Sequence, residues 1–496
     1  MMFHTSFGRV GTLPAPQRCG MAALLARVAT LATALVLGLS ACVSPAGITT
    51  VAQQITPSDA GLEPQPDAAP LALAVDWWRS LASPTLDALV HRALADSPSL
   101  GLAQARLARA QATVAGVQAN EGVQMNATAD ATRQLYSANS IYPAPLGGSI
   151  RTLATAQLNA SWDFDFFGRN RAAIAAAVGA QRAAMAETEA ARVLVASQVV
   201  RSYLELGHLF ALRDVAARTL EQRVDLLALI RQRVQAGLDT AVEQRQGEGA
   251  LPDARRQIEQ IDEQIMLTRH ALAVLSAQPP QALDTLVVSL ADLQHMELPN
   301  TLPADLLGRR ADVRAARWRV MAAVRDTEVA RAQFYPNINL RAFVGLSSIG
   351  LGRLVQGDSA QYGFGPAIRL PIFDAGALRA NLGARTADVD TSIETYNATV
   401  RNGVRDAVDQ LTTLQSLARQ QHEQAQSQAA AESAYDLVSQ RYRAGLATYL
   451  GVLNAETELL SQRRLSVDLG ARVRDSQVAL VRSLGGGYAG EPGTEQ

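Results

Sequence analysis

Two stretches of the chain, Thr152–Arg182 and Tyr362–Thr391, begin as a long period-two strand and turn abruptly into a helix. In the first, the even positions from 154 to 166 read Ala, Ala, Leu, Ala, Trp, Phe, Phe, with Thr155, Gln157, Asn159, Ser161, Asp163 and Asp165 between them. In the second, the even positions from 362 to 372 read Tyr, Phe, Pro, Ile, Leu, Ile, and the odd ones are Gln361, Gly363, Gly365, Ala367, Arg369 and Pro371. Successive strand side chains point to opposite faces, so each segment has one apolar and one polar face. Such alternation held over ~9–11 residues or more has the length of a membrane-spanning barrel strand. Phe167-Gly168 and Phe373 with Gly376 end the strands before the helices begin.

These stretches are halves of an internal repeat, which decides the architecture. Ser97–Glu121 is a helical run whose counterpart is Asp312–Gln333. Each leads into a further alternating strand, with Val123, Met125, Ala127, Ala129 and Ala131 in the first copy and Ile338, Leu340, Ala342 and Val344 in the second. Polar loops, 133–150 and 346–360, join the strands of each copy. The four strands are expected at about 122–132, 152–167, 336–345 and 361–373.

The helices after the second strands run without Pro to Arg233-Val234-Gln235-Ala236-Gly237-Leu238 and to Arg443-Ala444-Gly445-Leu446. Glycine at these ends suits a left-handed helix stop. The length between strand and glycine is read as a helical hairpin with a turn near 202–208 and 409–413, each arm about 50 Å long. The seams Leu220, Val224, Leu227, Val234 and Val389, Ile393, Tyr396, Val400, Ala407, Leu411, Leu414 are coiled-coil-like. Gln420–Gln428 is nearly all polar, which suits a helix wetted on two sides. Further helices follow at 239–277 and 447–484.

The N-terminus reads as an address. Arg18 and Arg27 precede the apolar run Val28–Leu39, followed by Ser40-Ala41-Cys42. This is a secretory signal over 1–41, complete in itself even from Met21. Leu39-Ser40-Ala41-Cys42 resembles a bacterial lipobox, which would put a covalent lipid on Cys42; ordinary cleavage beside an incidental Cys is the other reading. In bacterial lipoproteins, Val43 after the Cys resembles export to the outer membrane. Residues 42–75 form an irregular lead, 76–282 the first repeat, 283–303 a linker, 304–488 the second repeat and 489–496 a tail. The pair Trp77-Trp78 is read as packing.

Composition excludes several functions. The formal charge is −1, no basic block stands out, and nucleic acid is not an expected partner. All 45 basic residues are Arg. The two Cys, Cys19 and Cys42, both lie near the N-terminus, and the six His are scattered without metal-site spacing, so no metal or cofactor is expected beyond the lipid. Asp163 and Asp165 share the polar face of a strand with no nucleophile or base, so no enzyme is expected.

Four spanning strands cannot close a barrel, and an open edge in lipid leaves backbone groups unpaired at several kcal/mol each. The chain must therefore oligomerise. Two copies would give eight strands and a filled interior; three would give twelve and room for a pore.

The segments Ser161-Trp162-Asp163-Phe164-Asp165-Phe166-Phe167-Gly168-Arg169, Leu307-Gly308-Arg309-Arg310-Ala311-Asp312-Val313, Phe334-Tyr335-Pro336, Leu370-Pro371-Ile372-Phe373-Asp374-Ala375-Gly376 and Arg441-Tyr442-Arg443-Ala444-Gly445 together resemble the TolC-type outer-membrane efflux channels, most closely the OprM/NodT lipoprotein subgroup. Ala311 stands where Pro is usual and Tyr488 where Trp is common. The resemblance implies a mixed α+β fold: a homotrimeric twelve-stranded barrel continued by a long periplasmic helical tunnel. It implies a passive exit duct served by a periplasmic adaptor protein and an inner-membrane RND pump. It places the periplasmic tip at the hairpin turns, with Asp406 and Asp409 as gate candidates. Arg201, Ser202, Tyr203, Leu204, Gln410 and Leu411 are then candidate adaptor contacts. Ordinary solvated carboxylates and core packing are the competing readings of these residues. A channel of a type I secretion system, or a coiled-coil structural lipoprotein, are the alternatives for the whole chain.

Overall fold

The computed structural model describes residues 44–56, 58–61, 73–139, 141–294, 296 and 306–487. The signal segment, Cys42 and the tail from 488 on lie outside them. The helices are α1 (Pro84–Asp96), α2 (Pro98–Ala119), α3 (Arg169–Gln235), α4 (Ala241–Leu275), α5 (Ala311–Ala332), α6 (Ala377–Arg443) and α7 (Tyr449–Ser483), with a single helical turn at Leu306–Arg309. The strands are β1 (Gln124–Leu135), β2 (Ile150–Phe164), β3 (Asn337–Ile349) and β4 (Ala360–Arg369). The halves match in length: α2 and α5 have 22 residues each, α3 and α6 have 67, and α4 and α7 have 35.

The chain divides into two compact units. The first is built on the sheet, with the described parts of 1–49, 120–169 and 327–386. Its strands lie in chain order, every neighbour antiparallel, so β2 of the first half pairs with β3 of the second. β1 and β4 are the edges. Two strands end earlier than their alternation suggests. β2 stops at Phe164, where the Phe166 amide turns back to the Phe164 carbonyl and Gly168 takes φ +76°. β4 stops at Arg369, just before Pro371, which has no N–H for a ladder. Asp374 then caps α6, accepting from the Gly376 amide (3.0 Å) and the Leu378 amide (2.6 Å).

The second unit is helical. Its largest core joins Trp77, Trp78, Leu81 and the α1 residues Leu86, Leu89 and Val90 to Val195, Val199, Val200, Tyr203 and Leu206 of α3, Leu272 of α4 and Val478 and Val481 of α7. The tryptophan pair is packed here, with the Trp78 Nε1–H donating to Asp87.

One expectation is corrected. α3 runs unbroken through 202–208 and α6 through 409–413, so neither holds a turn at its midpoint. At 1.5 Å per residue each is about 100 Å long. The hairpins are α3–α4 and α6–α7, and their turns are the glycine stops at Gly237 and Gly445. Both close with the 6→1 bond of a Schellman motif, Leu238 N to Arg233 O (2.9 Å) and Leu446 N to Arg441 O (2.8 Å), around a glycine at φ +71° and +75°. Thr240 and Thr448 cap the returning helices, Thr240 in a capping box with Glu243.

Gly207 is a packing glycine, not a hinge. A Cβ there would sit 2.7 Å from the Leu290 Cδ2 and 3.0 Å from the Val288 Cγ1. Gly207→Val should lower stability by about 1–3 kcal/mol through overpacking. Gly249→Ala, in α4 with nothing within 4 Å, should be neutral or stabilise by up to about 1 kcal/mol. Thermal unfolding of the two variants checks the contrast; equal melting would show that 207 behaves as open helix surface.

Candidate functional site: the sheet faces and the hairpin turns

The register sorts the sheet into two faces. One face carries the rows Met125–Ala160–Ala342–Phe364, Ala127–Leu158–Val344–Tyr362 and Ala129–Ala156–Leu346–Ala360. Tyr362 and Phe364 are 82% and 85% exposed, a degree that water does not favour and a lipid or a partner would relieve. At the helix end of β2, Trp162, Phe164 and Phe166 follow one another at ring distances of 4.5 and 5.9 Å, and Phe167 stacks on Tyr335 at 4.9 Å. Such an aromatic band is typical of a membrane interface.

The other face is polar and braced. Gln361 donates to Gln157 (3.0 Å), Gln157 donates to Asn159 (2.9 Å), and Asn159 donates to the Thr128 hydroxyl (3.3 Å). This line of amides touches β4, β2 and β1. It passes over β3 at Gly345, which lies between Gln157 and Gln361 in the register. A Cβ at 345 would sit 2.5 Å from the Gln157 Cβ and 2.3 Å from the Ala156 carbonyl oxygen.

The second cluster lies at the hairpin turns. Arg233 of α3 forms a double bridge to Asp239, Nε to Oδ2 at 2.9 Å and Nη2 to Oδ1 at 3.1 Å. Its Nη1 donates to the Tyr442 carbonyl of α6 (2.8 Å), and its guanidinium lies 4.5 Å from the Tyr442 ring centroid. The Tyr442 hydroxyl donates to Asp239 as well. Tyr442 is fully buried among Ile230, Tyr449 and Val452. Bonds from Arg233 and Tyr442 hold the Asp239 carboxyl below its ordinary value. Burial, together with the Asp239 bond, pushes the Tyr442 phenol far above its own. Both pieces of one hairpin turn are thus tied to the other hairpin through a nearly dry ion pair.

The sequence-derived site residues lie elsewhere. Arg201 pairs with Asp475 of α7 through Nε (2.5 Å) and Nη2 (2.9 Å). Tyr203 and Leu204 are buried in the main core, and the Tyr203 hydroxyl meets that of Ser83 at 3.0 Å. Ser202 is half-buried. One heptad on, the His208 Nε2 lies 2.7 Å from Asp468. Glu205, on the same helix, and then Asp468 raise the His208 pKa. Arg223 continues the series by bonding Glu456 at 2.9 Å. The 201–223 stretch therefore ties α3 to α7 instead of forming a tip. Asp406 and Asp409 stand inside α6, bracketed by Arg405 at 2.9 and 3.9 Å. Asp406 and Gln410 line a cavity of about 370 Å³ with Arg310, Asp312 and Arg482, and Leu411 packs on Ala407 and Leu480.

The lead segment holds an arrangement that its composition does not announce. In the first unit Arg379 donates to the Ser44 and Ala46 carbonyls. In the second, Asp390 accepts the Val51 and Ala52 amides at 3.0 Å each, and Asn397 bonds both Ile55 N and Gln53 O. Residues 44–56 are thus held along α6.

A family model described as "Outer membrane efflux protein" matches residues 89–278 and 302–486. The multidrug resistance outer membrane protein MdtP of Escherichia coli strain K12 is 33% identical over 429 residues, covering 85% of this chain and 88% of MdtP. The fusaric acid resistance protein FusA of Burkholderia cepacia is 39% identical over 324 residues, 64% of this chain and 60% of FusA. The crystal structure of the outer membrane protein VceC from Vibrio cholerae matches with a TM-score of 0.79 at 33% identity, covering 84% of this chain and all of VceC.

The turn cluster has testable energetics. Asp239→Ala strands a buried guanidinium and should cost about 3 kcal/mol; Tyr442→Phe removes one hydrogen bond and should cost about 1 kcal/mol. The depressed Asp239 pKa means that its contribution is present above the ordinary 3.8 and is lost as pH falls through the lower folded value. The raised His208 pKa works in the opposite sense: its contribution is present below 6.5 and is lost as pH rises through the folded value. Thermal unfolding of wild type, Asp239→Ala and His208→Gln across pH 3–9 separates the two, since each variant should flatten only its own limb.

Proposed function

The chain belongs to the outer membrane efflux protein family, and on that premise we propose that three copies of it close one barrel and serve as the exit duct of a tripartite pump. It is an outer-membrane efflux channel protein and not an enzyme. The observation that carries the trimer is the sheet itself: four antiparallel strands, one apolar and one polar face, and two open edges at β1 and β4. An edge strand in hydrocarbon needs a partner for every outward N–H and C=O, and a second copy's opposite edge supplies them. Head-to-tail pairing of β4 with the next copy's β1 closes a ring at twelve strands, and the polar faces then line the passage.

Ions and small molecules would pass along this polar lining and through a tunnel of helices. The passage has no energy source of its own, so a periplasmic adaptor and an inner-membrane RND pump would drive it. MdtP and FusA are named for resistance to several drugs and to fusaric acid, which supports small organic molecules as cargo. The lipobox-like Leu39-Ser40-Ala41-Cys42 supports removal of 1–41 and acylation of Cys42. A lipid there would add a second hold on the outer membrane. The turns at Gly237 and Gly445, not Asp406 and Asp409, are where the periplasmic end would open and where an adaptor would meet the channel. Opening there requires the Arg233–Asp239–Tyr442 ties to part.

The detergent-extracted complex should have the mass of three chains and should conduct in a planar bilayer. A monomer, or an oligomer that never conducts, would sink the reading. Growth with labelled palmitate should mark wild type and leave Cys42→Ser unmarked; equal labelling would remove the lipid anchor from the account.

A further inference from the structure

The polar face of the sheet carries one aromatic residue among its paired positions, Phe343 of β3. It shares that face with Asn339, Arg341, Gly345 and Ser347, and it lies opposite Asn159 of β2 and Gly363 of β4. The far end of its ring rests over Gly363. A Cβ built there would stand 2.7 Å from Cε1 and 2.9 Å from Cζ, so the outer ring atoms occupy the level at which a side chain of β4 would begin. The ring therefore lies across the neighbouring strand, flat on the wall.

Two of its other exits are closed. On the β2 side stands Asn159, held by Gln157 and by Thr128. Along β3 the next position on the same face is Gly345, over which Gln157 and Gln361 meet. With these two flanks occupied, the ways left to a ring displaced from Gly363 are along β4 toward Gly365, where nothing lies within 4 Å, and away from the wall. In a closed barrel the second direction is the lumen.

We propose that Gly363 is a seat for Phe343 and that this pair sets the free width of the barrel at mid-wall, three seated rings leaving the passage open. The inference rests on the closed trimer argued above. Gly345 acts in parallel by letting two glutamines lie along the wall instead of across the passage. Both glycines are needed for the absence of a Cβ and not for an unusual φ, which separates them from the glycines of the hairpin turns.

Single-channel conductance of the purified full-length trimer tests the seat. Gly363→Ala should lower conductance by about a third, because pore radius sets conduction. Gly363→Ala with Phe343→Ala should return it to within about a tenth of wild type, and Phe343→Ala alone should change it by no more than that. Unchanged conductance in Gly363→Ala would overturn the proposal. So would a rise of half or more in Phe343→Ala, which would mean that the ring already stands in the passage. An electron cryomicroscopy map of Gly363→Ala reads the ring directly, whatever narrower point the path has elsewhere. A ring swung inward is expected, and a ring still flat on β4 refutes the seat. If wild type is itself monomeric or silent, it is the closed barrel that fails.

Discussion

Every backbone N–H and C=O that points outward from β1 and β4 must find a partner, and in hydrocarbon there is no water to supply one. There the four-stranded sheet would be stable only as part of something larger. The rest follows from that demand. The apolar rows of Ala, Leu, Val, Phe and Tyr lie on the face that would meet lipid, and the amides lie on the face that would meet water. The central pairing, β2 with β3, joins residues from different halves of the chain, so neither half can complete its part of the sheet alone.

Within the helical unit the equivalent demand is to hold very long helices in register. Most of a helix's stability in a protein comes from packing, so contacts along its side must fix it. α3 meets α7 through a series of charged rungs, Arg201–Asp475, His208–Asp468 and Arg223–Glu456. Small residues let helices approach closely: a Cβ at Gly179 would fall 3.1 Å from that of Ala322. At the turns, the apolar cluster around Tyr442 is joined by the Arg233–Asp239 ion pair.

Much of this was legible in the sequence. Period-two alternation marks all four strands because one face is mostly apolar and the other mostly polar. The doubling of the chain is equally plain, down to the Ala-Gly-Leu stop shared by residues 236–238 and 444–446. The midpoint turns were expected because a 67-residue helix is far outside ordinary lengths. The reason for Gly207 within it, the approach of Leu290, depends on a segment distant in sequence. The Arg233–Asp239–Tyr442 cluster was hidden for a similar reason: Tyr442 lies more than two hundred residues from its partners, and no spacing rule joins them. The described stretch 44–56 of the lead has neither helix nor strand, yet its backbone is held by Asp390 and Asn397, two side chains with no visible signature.

The matched lengths of the helical arms bear on how such a chain can change over evolutionary time. Deleting one residue within α3 would turn everything beyond it by about 100° and draw it back 1.5 Å. Every rung to α7 past the deletion would then face the wrong way, and the turn beyond it would lose its partner on α6. No single compensating substitution repairs that, because every contact past the deletion carries the same offset. Segments outside the arms, such as those between strands at 136–149 and 350–359, would absorb insertions and deletions far more readily than the arms.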